Sequence, residues 1–494
     1  MLKTGLLLSS TLTALLLLLS SVSFRKSQPP NILFICVDDL RPDLGCYGNN
    51  HIKSPNIDKL ADEGYLFENH YVTVPTCGAS RHSLLTGQLP KTTQHLGNDA
   101  SAVFLSGKPE TEISETFIHL LKRNNYYTVG IGKISHHPDG HVYGYLDTPK
   151  EAPLELPHSW NEMLLDVGKW GTGHNAFFGY ADGTNRNALK GKVKPYESAV
   201  VEDEGYPDGL TAKLAIQKIS ELKNNDKPFF LAVGFFKPHL PFNAPKKYWD
   251  MYDANKIPLS SSPNIPENVN KASLHPSGEF NSYQLGDEKV SLDRPVSDQY
   301  ARKLRHGYFA CVSYVDAQIG KVLQELEKQG LANNTIVVLW GDHGWHLGDQ
   351  RVWGKHTCFE TALRSVFIIK HPKMKQGVKV NDIVSTVDIY PTLMDFCGIL
   401  APKDISGHSL KSRLMKKQPV NIKNVAYSYY NKGITVRTQR YRLTQYFRDA
   451  QPTIELYDHV KDPNETKNIA SSNPLIVNKL MPLLEKGNTG LYQR

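Results

Sequence analysis

The sequence predicts an α/β fold: a mostly parallel central sheet flanked by helices, with a small C-terminal antiparallel α+β subdomain. Three observations carry that expectation. Four short segments are apolar on both faces, the pattern of strands buried inside a parallel sheet. Helical patterns lie between them, and β alternating with α is how parallel strands are connected. After about Pro402 the chain turns more basic and strand-like, as in YRLTQYF and IELYD.

The elements follow in order. MLKTGLLLSSTLTALLLLLSS has a short basic start, an apolar centre from Gly5 to Leu19, and mostly small residues from Ser20 to Ser23. That is the layout of a secretory signal peptide over residues 1–23. The apolar stretch is short for a membrane span, no cysteine lies near the cleavage region to take a lipid, and no later segment could cross a bilayer. Export is therefore expected without stable membrane insertion, to a bacterial periplasm or the medium, or to a lysosome in a eukaryote.

The first buried strand is NILFICV, Asn31 to Val37. Cys77 precedes a helix from about Ser80 to Thr86, closed by Gly87. A helix from Ser114 to Asn124 leads to the strand YYTVGIG, Tyr126 to Gly132; one from Thr211 to Lys223 leads to PFFLAVGFF, Pro228 to Phe236. Leu259 to Pro295 is aperiodic and rich in Ser, Pro and Asn, a long surface insertion able to line a cleft. A helix from Tyr308 to Lys328 precedes TIVVLW, Thr335 to Trp340, and Asp388 to Gly398 reads as a capped helix with Gly398 as its stop.

Composition bounds the function. The 494 residues suffice for one large core plus a smaller subdomain, or for two medium domains. A net charge of +8 fits an anionic substrate or simply a solvated surface, and the absence of Lys/Arg runs argues against nucleic acid. Six cysteines are scattered with no CxxC pair, which argues against a zinc cage or dense disulfide scaffold and leaves a single disulfide open. Cys36 and Cys397 sit in apolar runs and read as small core residues.

The residues after each strand carry the chemistry. Asp38 and Asp39 follow Val37; Lys133, His136 and His137 follow Gly132. Lys237, Pro238 and His239 follow Phe236, and Asp342 and His343 come just after Trp340. Ligands of open α/β sheets bind at the carboxyl ends of strands, so parallel strands bring these groups to one edge. Asp38, Asp39 and Asp342 are hard oxygen donors suited to calcium or magnesium. Cys77 stands at a helix N-terminus, which favours anions, with Arg81 adding a charge-assisted donor on the first turn. A thiolate nucleophile is the default reading of such a cysteine, but thiolate is a poor partner for a hard cation.

The segment Cys77-Gly78-Ala79-Ser80-Arg81-His82-Ser83-Leu84-Leu85-Thr86-Gly87 resembles the signature of the type I sulfatases of the alkaline-phosphatase superfamily. The resemblance extends along most of the mature chain and is greatest to the iduronate-2-sulfatase branch, through VDDLRPDLGCYG, SPNIDKLA, GKISHHP, FFLAVGFFKPHLPF, YFACVSYVDAQIG and GDHGWHLG. It implies a catalytic domain over residues 28–405 and a C-terminal subdomain over 406–494. It also implies that Cys77 is oxidised to formylglycine, whose hydrate attacks sulfur with one hydroxyl and releases sulfate through the other.

Carried over residue by residue, the resemblance puts Asp38, Asp39, Asp342, His343 and modified Cys77 on one calcium. Arg81 would orient the nucleophile, Lys133 and Lys355 would bind sulfate oxygens, and His136 would contact the nucleophile or sulfate, with His137 an alternative one position away. His239 would protonate the departing sugar oxygen. The implied partners are a sulfated carbohydrate and a maturase, either a formylglycine-generating or a radical-type enzyme; Ala79, in place of the commoner Pro, favours the radical type and a bacterial source. The substrate classes are a glycosaminoglycan bearing uronate 2-O-sulfate or an algal glycan such as ulvan. Two rivals remain open: a phosphatase or phosphonate hydrolase of the same superfamily, and a catalytically silent glycan-binding relative.

Overall fold

The computed structural model describes residues 29–374, 376–416 and 425–492, so the expected leader lies outside the described residues. An eight-stranded sheet forms the centre, in the spatial order Val378–Ser385, Tyr65–Tyr71, Phe367–Lys370, Thr335–Gly341, Asn31–Val37, Phe229–Phe235, Tyr127–Gly132, Glu162–Leu164. Only Phe367–Lys370 runs antiparallel to its neighbours. The four apolar runs predicted as strands are the four adjacent central ones, mutually parallel. Three of them are buried at every residue.

The register decides where the chemistry lands. Val37 pairs with both Phe235 and Gly341, and Gly132 pairs with Gly234. The strands therefore end nearly level, and Asp38, Lys133, the KPH segment and Asp342 leave the same edge. Along Asn31–Val37 the side chains alternate between two cores. Leu33, Ile35 and Val37 meet the face covered by the helices Pro207–Leu222 and Asp298–Lys328. Ile32, Phe34 and Cys36 meet the face covered by Cys77–Thr86, Phe117–Arg123 and Ile389–Cys397.

Two boundaries differ from expectation. The long helix begins at Asp298, well before Tyr308, because Ser297 caps it by accepting from the Tyr300 N–H and its polar first turns still bury Tyr300 and Leu304. The helix carrying the signature begins at Cys77 itself, after Thr76, so Arg81 lies past the first turn. Gly87 closes that helix at φ 65°, as expected.

Residues 426–458 form a four-stranded antiparallel sheet, with the helix Pro474–Lys486 packed on it. Buried charge joins it to the main body: Arg442 and Arg437 both reach Glu360, and Glu465 accepts from the Glu360 N–H at 2.7 Å. All six cysteines are free, Cys36 and Cys77 among the buried ones.

Candidate active site

Asp38 and Asp39 occupy the turn directly after Val37. Asp39 adopts φ 58°, a left-handed conformation that costs a non-glycine residue free energy and is held here from two sides. Its N–H donates to Asp342 Oδ1 at 3.0 Å, and its carbonyl accepts from the Tyr308 hydroxyl at 2.7 Å. The strain keeps both carboxylates at the sheet edge, fully buried.

Cys77 is the first residue of its helix. A Cβ at Gly78 would lie 1.9 Å from the Asn98 carbonyl oxygen, so only glycine lets the helix start pack this closely. Cys77 Sγ sits 3.1 Å from Lys355 Nζ and 3.2 Å from His343 Nε2. Burial, and then the Asp38 charge, push the thiol up to about 12, so the residue rests as a thiol rather than a thiolate.

Arg81 is completely buried and ties two strand ends together. Its Nε and Nη2 both lie 3.0 Å from Asp342 Oδ2, while Nη1 donates to the carbonyls of Lys133 and Ile134 at 2.5 and 3.1 Å. Lys133 pairs with Asp38, and Lys355 pairs with Asp39 at 3.0 Å. Burial works against the charge of Asp38, but Lys133, His239 and Arg81 together hold its carboxyl well below the usual range.

His239 shows two opposed influences. Burial, followed by Lys355, presses it down to about 4. Yet Nδ1 lies 2.7 Å from the Leu240 carbonyl and Nε2 lies 2.9 Å from Glu279 Oε1, so both nitrogens face acceptors. Only a doubly protonated ring satisfies both, and this geometry favours an imidazolium paired with Glu279. Phe177 packs beneath, 4.5 Å from His239 and 4.1 Å from Lys133 Nζ.

The adjacent histidines differ in their ion pairing. His137 Nδ1 pairs with Glu155 at 3.1 Å. His136 has a buried Nδ1 with no hydrogen-bond partner, and burial, followed by Lys133, lowers its pKa. Asp38, Asp39, Cys77, Arg81, Lys133, His239, Asp342, His343 and Lys355, all singled out from the sequence, thus meet at one edge. The sequence reading missed Glu279, which reaches in from the 259–295 insertion and also lies 3.4 Å from Lys355 Nζ. Ser80, part of the signature but given no role from the sequence, donates its Oγ–H to the Asp342 carbonyl at 2.5 Å. Glu279 carried no local signal, because a lone Glu in an aperiodic loop looks solvated.

The donor set fits a divalent cation. Ligand atoms of Asp38, Cys77, Asp342 and His343 lie within 4.8 Å of one another, and Asp39, Cys77 and His239 form an overlapping group. Asp38 Oδ1 and Asp39 Oδ2 are buried without a hydrogen-bond partner, oxygens that a hard cation would satisfy. A third grouping, Glu360, His459 and Glu465, is already neutralised by Arg442 and Arg437.

Comparison with known proteins gives the family. The sulfatase family model matches residues 30–399, and a model of the N-sulphoglucosamine sulphohydrolase C-terminal region matches 341–487. Iduronate 2-sulfatase of Mus musculus is 32% identical over 405 residues, 75% of this chain and 69% of that protein. An ulvan-active sulfatase of Formosa agariphila is 30% identical over 464 residues, 89% of this chain and 77% of that protein. The phosphonate monoester hydrolase of Agrobacterium radiobacter shares the fold, with TM-score 0.74 at 22% identity over 93% of this chain and 96% of that one. A cysteine at the start of its helix, Lys133 and three aspartates at the ends of parallel strands, and a family match over most of the sequence lead to one assignment: the chain belongs to the sulfatase family, as a type I sulfatase of the alkaline-phosphatase superfamily.

Proposed function

We propose that this protein hydrolyses O-sulfate esters of a sulfated sugar or polysaccharide, with Cys77 acting after conversion to formylglycine. The observation that carries this reading is the setting of Cys77 Sγ, between Lys355 Nζ at 3.1 Å and His343 Nε2 at 3.2 Å beside buried carboxylates. In formylglycine an oxygen takes the place of that sulfur, the donor type a hard cation prefers. Asp38, Asp39, Asp342 and His343 would hold one calcium ion, which when bound supplies Lewis-acid polarisation.

The chain's own groups account for the rest. Lys133 and Lys355 bear on the sulfate oxygens and stabilise charge that grows in the transition state. Arg81 fixes Asp342 and the strand ends around the nucleophile. His136 contacts the nucleophile or the sulfate. His239, held by Leu240 and Glu279, delivers the proton to the departing sugar oxygen. A uronate 2-O-sulfate is the favoured substrate, since iduronate 2-sulfatase is among the relatives, with an algal glycan such as ulvan the second. Maturation would require a formylglycine-generating or radical-type enzyme, and residues 1–23 would direct export.

The test is peptide mass spectrometry across Cys77 alongside turnover. Active preparations are expected to carry the lighter aldehyde, and Cys77→Ser to lose sulfate-ester hydrolysis while folding normally. Because the fold is shared with a phosphonate hydrolase, phosphonate esters are assayed in parallel. A kcat/KM favouring them, or full activity with an intact thiol, would overturn the reading.

A further inference from the structure

Among the described residues of the loops that approach the site from residues 141–203, Arg186 is a cation clamped by aromatic rings with no counter-charge beside it. Arg186 has no carboxylate within ion-pair distance among the described residues; its side-chain hydrogen bond is to the neutral Asn187 Oδ1, at 3.4 Å. Its backbone is pinned, with the N–H donating to the Phe178 carbonyl at 3.2 Å and the carbonyl accepting from the Gly191 N–H at 2.9 Å. The guanidinium lies 3.5 Å from the Phe178 ring centre and 5.4 Å from that of Tyr283. Two aromatic faces hold the charged fork in place without neutralising it.

This clamp adjoins the catalytic centre. Phe178 packs 4.7 Å from Phe177, the ring beneath Lys133 and His239, and lies 6.2 Å from His239 itself. Tyr283 follows Glu279 closely on the 259–295 insertion. Tyr145 leans on His174 at 4.7 Å and on Phe178 at 5.9 Å, and its carbonyl accepts from Asn187 Nδ2 at 3.4 Å. Tyr145 is 46% exposed, so packing alone does not account for its place; burial raises its phenol pKa while the charges of Lys133 and Arg186 lower it.

Resting on the sulfated-sugar reading above, we infer that Arg186 receives a second anionic group of the substrate, a carboxylate or a further sulfate, with Tyr145 offering an apolar face to the same sugar. A guanidinium fork matches either planar carboxylate or sulfate through paired N–H donors. A half-buried fork with no protein acid beside it also penalises a neutral substrate, because the charge is then covered without a partner.

The test compares two substrate pairs: a 2-O-sulfated hexuronate glycoside with its carboxyl-reduced counterpart, and a disulfated hexosamine glycoside with its monosulfated form. The wild type is expected to favour the more anionic member of one pair by about 10- to 100-fold in kcat/KM, mainly through KM. Arg186→Gln should collapse that preference, and Arg186→Lys should retain part of it. A collapse confined to the hexuronate pair identifies the carboxylate as the partner; one confined to the hexosamine pair identifies the second sulfate. Equal loss on both members of each pair would mean that Arg186 only supports its loop, and would overturn the inference. Thermal stabilisation by glucuronate and by glucosamine 6-sulfate provides a readout independent of turnover. Stabilisation lost in Arg186→Gln sustains the inference even where no ester is cleaved and the sulfatase reading fails; equal stabilisation of both proteins sinks it.

Discussion

Arg81→Met keeps the bulk of a fully buried side chain and deletes its charge. In the native structure the guanidinium lies 3.0 Å from Asp342 Oδ2 through two nitrogens and donates to two carbonyls at 2.5 and 3.1 Å. Removing one partner of a buried ion pair costs about 3–5 kcal/mol, because the remaining charge is stranded. Each buried carbonyl left unsatisfied adds about 1–3 kcal/mol, although relaxation makes the sum less than additive. A loss of about 4 kcal/mol is expected, a large share of a total stability of about 5–15 kcal/mol. Equilibrium urea unfolding followed by tryptophan fluorescence reads it out, with Trp340 as a local reporter 5.9 Å from the guanidinium carbon. Arg81→Lys, which keeps the charge but not the fork, should fall between the two. A loss below about 1 kcal/mol in Arg81→Met would refute the claim that this arginine balances the buried carboxylates.

Three further outcomes are expected. His239→Ala should lose about 10²- to 10⁴-fold on sulfated sugars and much less on 4-nitrophenyl sulfate, whose phenolate leaves without a proton; equal losses would remove the general-acid assignment. Asp342→Ala should lose one bound calcium, measured by elemental analysis, together with activity, and two zinc ions in active enzyme would point to the phosphatase reading instead. At acid pH, Asp203 contributes through its folded state: burial opposes its charge, but hydrogen bonds from Lys247, Lys321 and Gln318 lower it to about 2. A depressed carboxylate stabilises above its unfolded pKa, and that contribution disappears as pH falls from about 4 towards 2. Asp203→Asn should flatten this limb of the stability profile, and an unchanged acid limb would show that other groups govern it.

The sequence by itself determined the centre of the sheet and most of the residues gathered at its edge. Strands such as Asn31–Val37 and Phe229–Phe235 are buried on both faces, so they must be apolar throughout, and the polar residues that end them stand out. The strand Tyr65–Tyr71 was not legible, because YLFENHY interrupts its apolar run with the partly exposed Glu68 and Asn69 and the buried but polar His70. The start of the helix at Cys77 likewise depended on tertiary contact, since Gly78 packs on the Asn98 backbone. His136 and His137 are chemically identical neighbours, and only Glu155, paired with His137, tells them apart. Glu279 and Arg186 came from loops whose local pattern is that of solvated surface. What the strands carry is written locally, because burial dictates residue type along a short run. What the loops carry was decided by tertiary structure alone, because an ion pair such as Glu279 with His239 depends on where two distant segments meet, and no local periodicity encodes that.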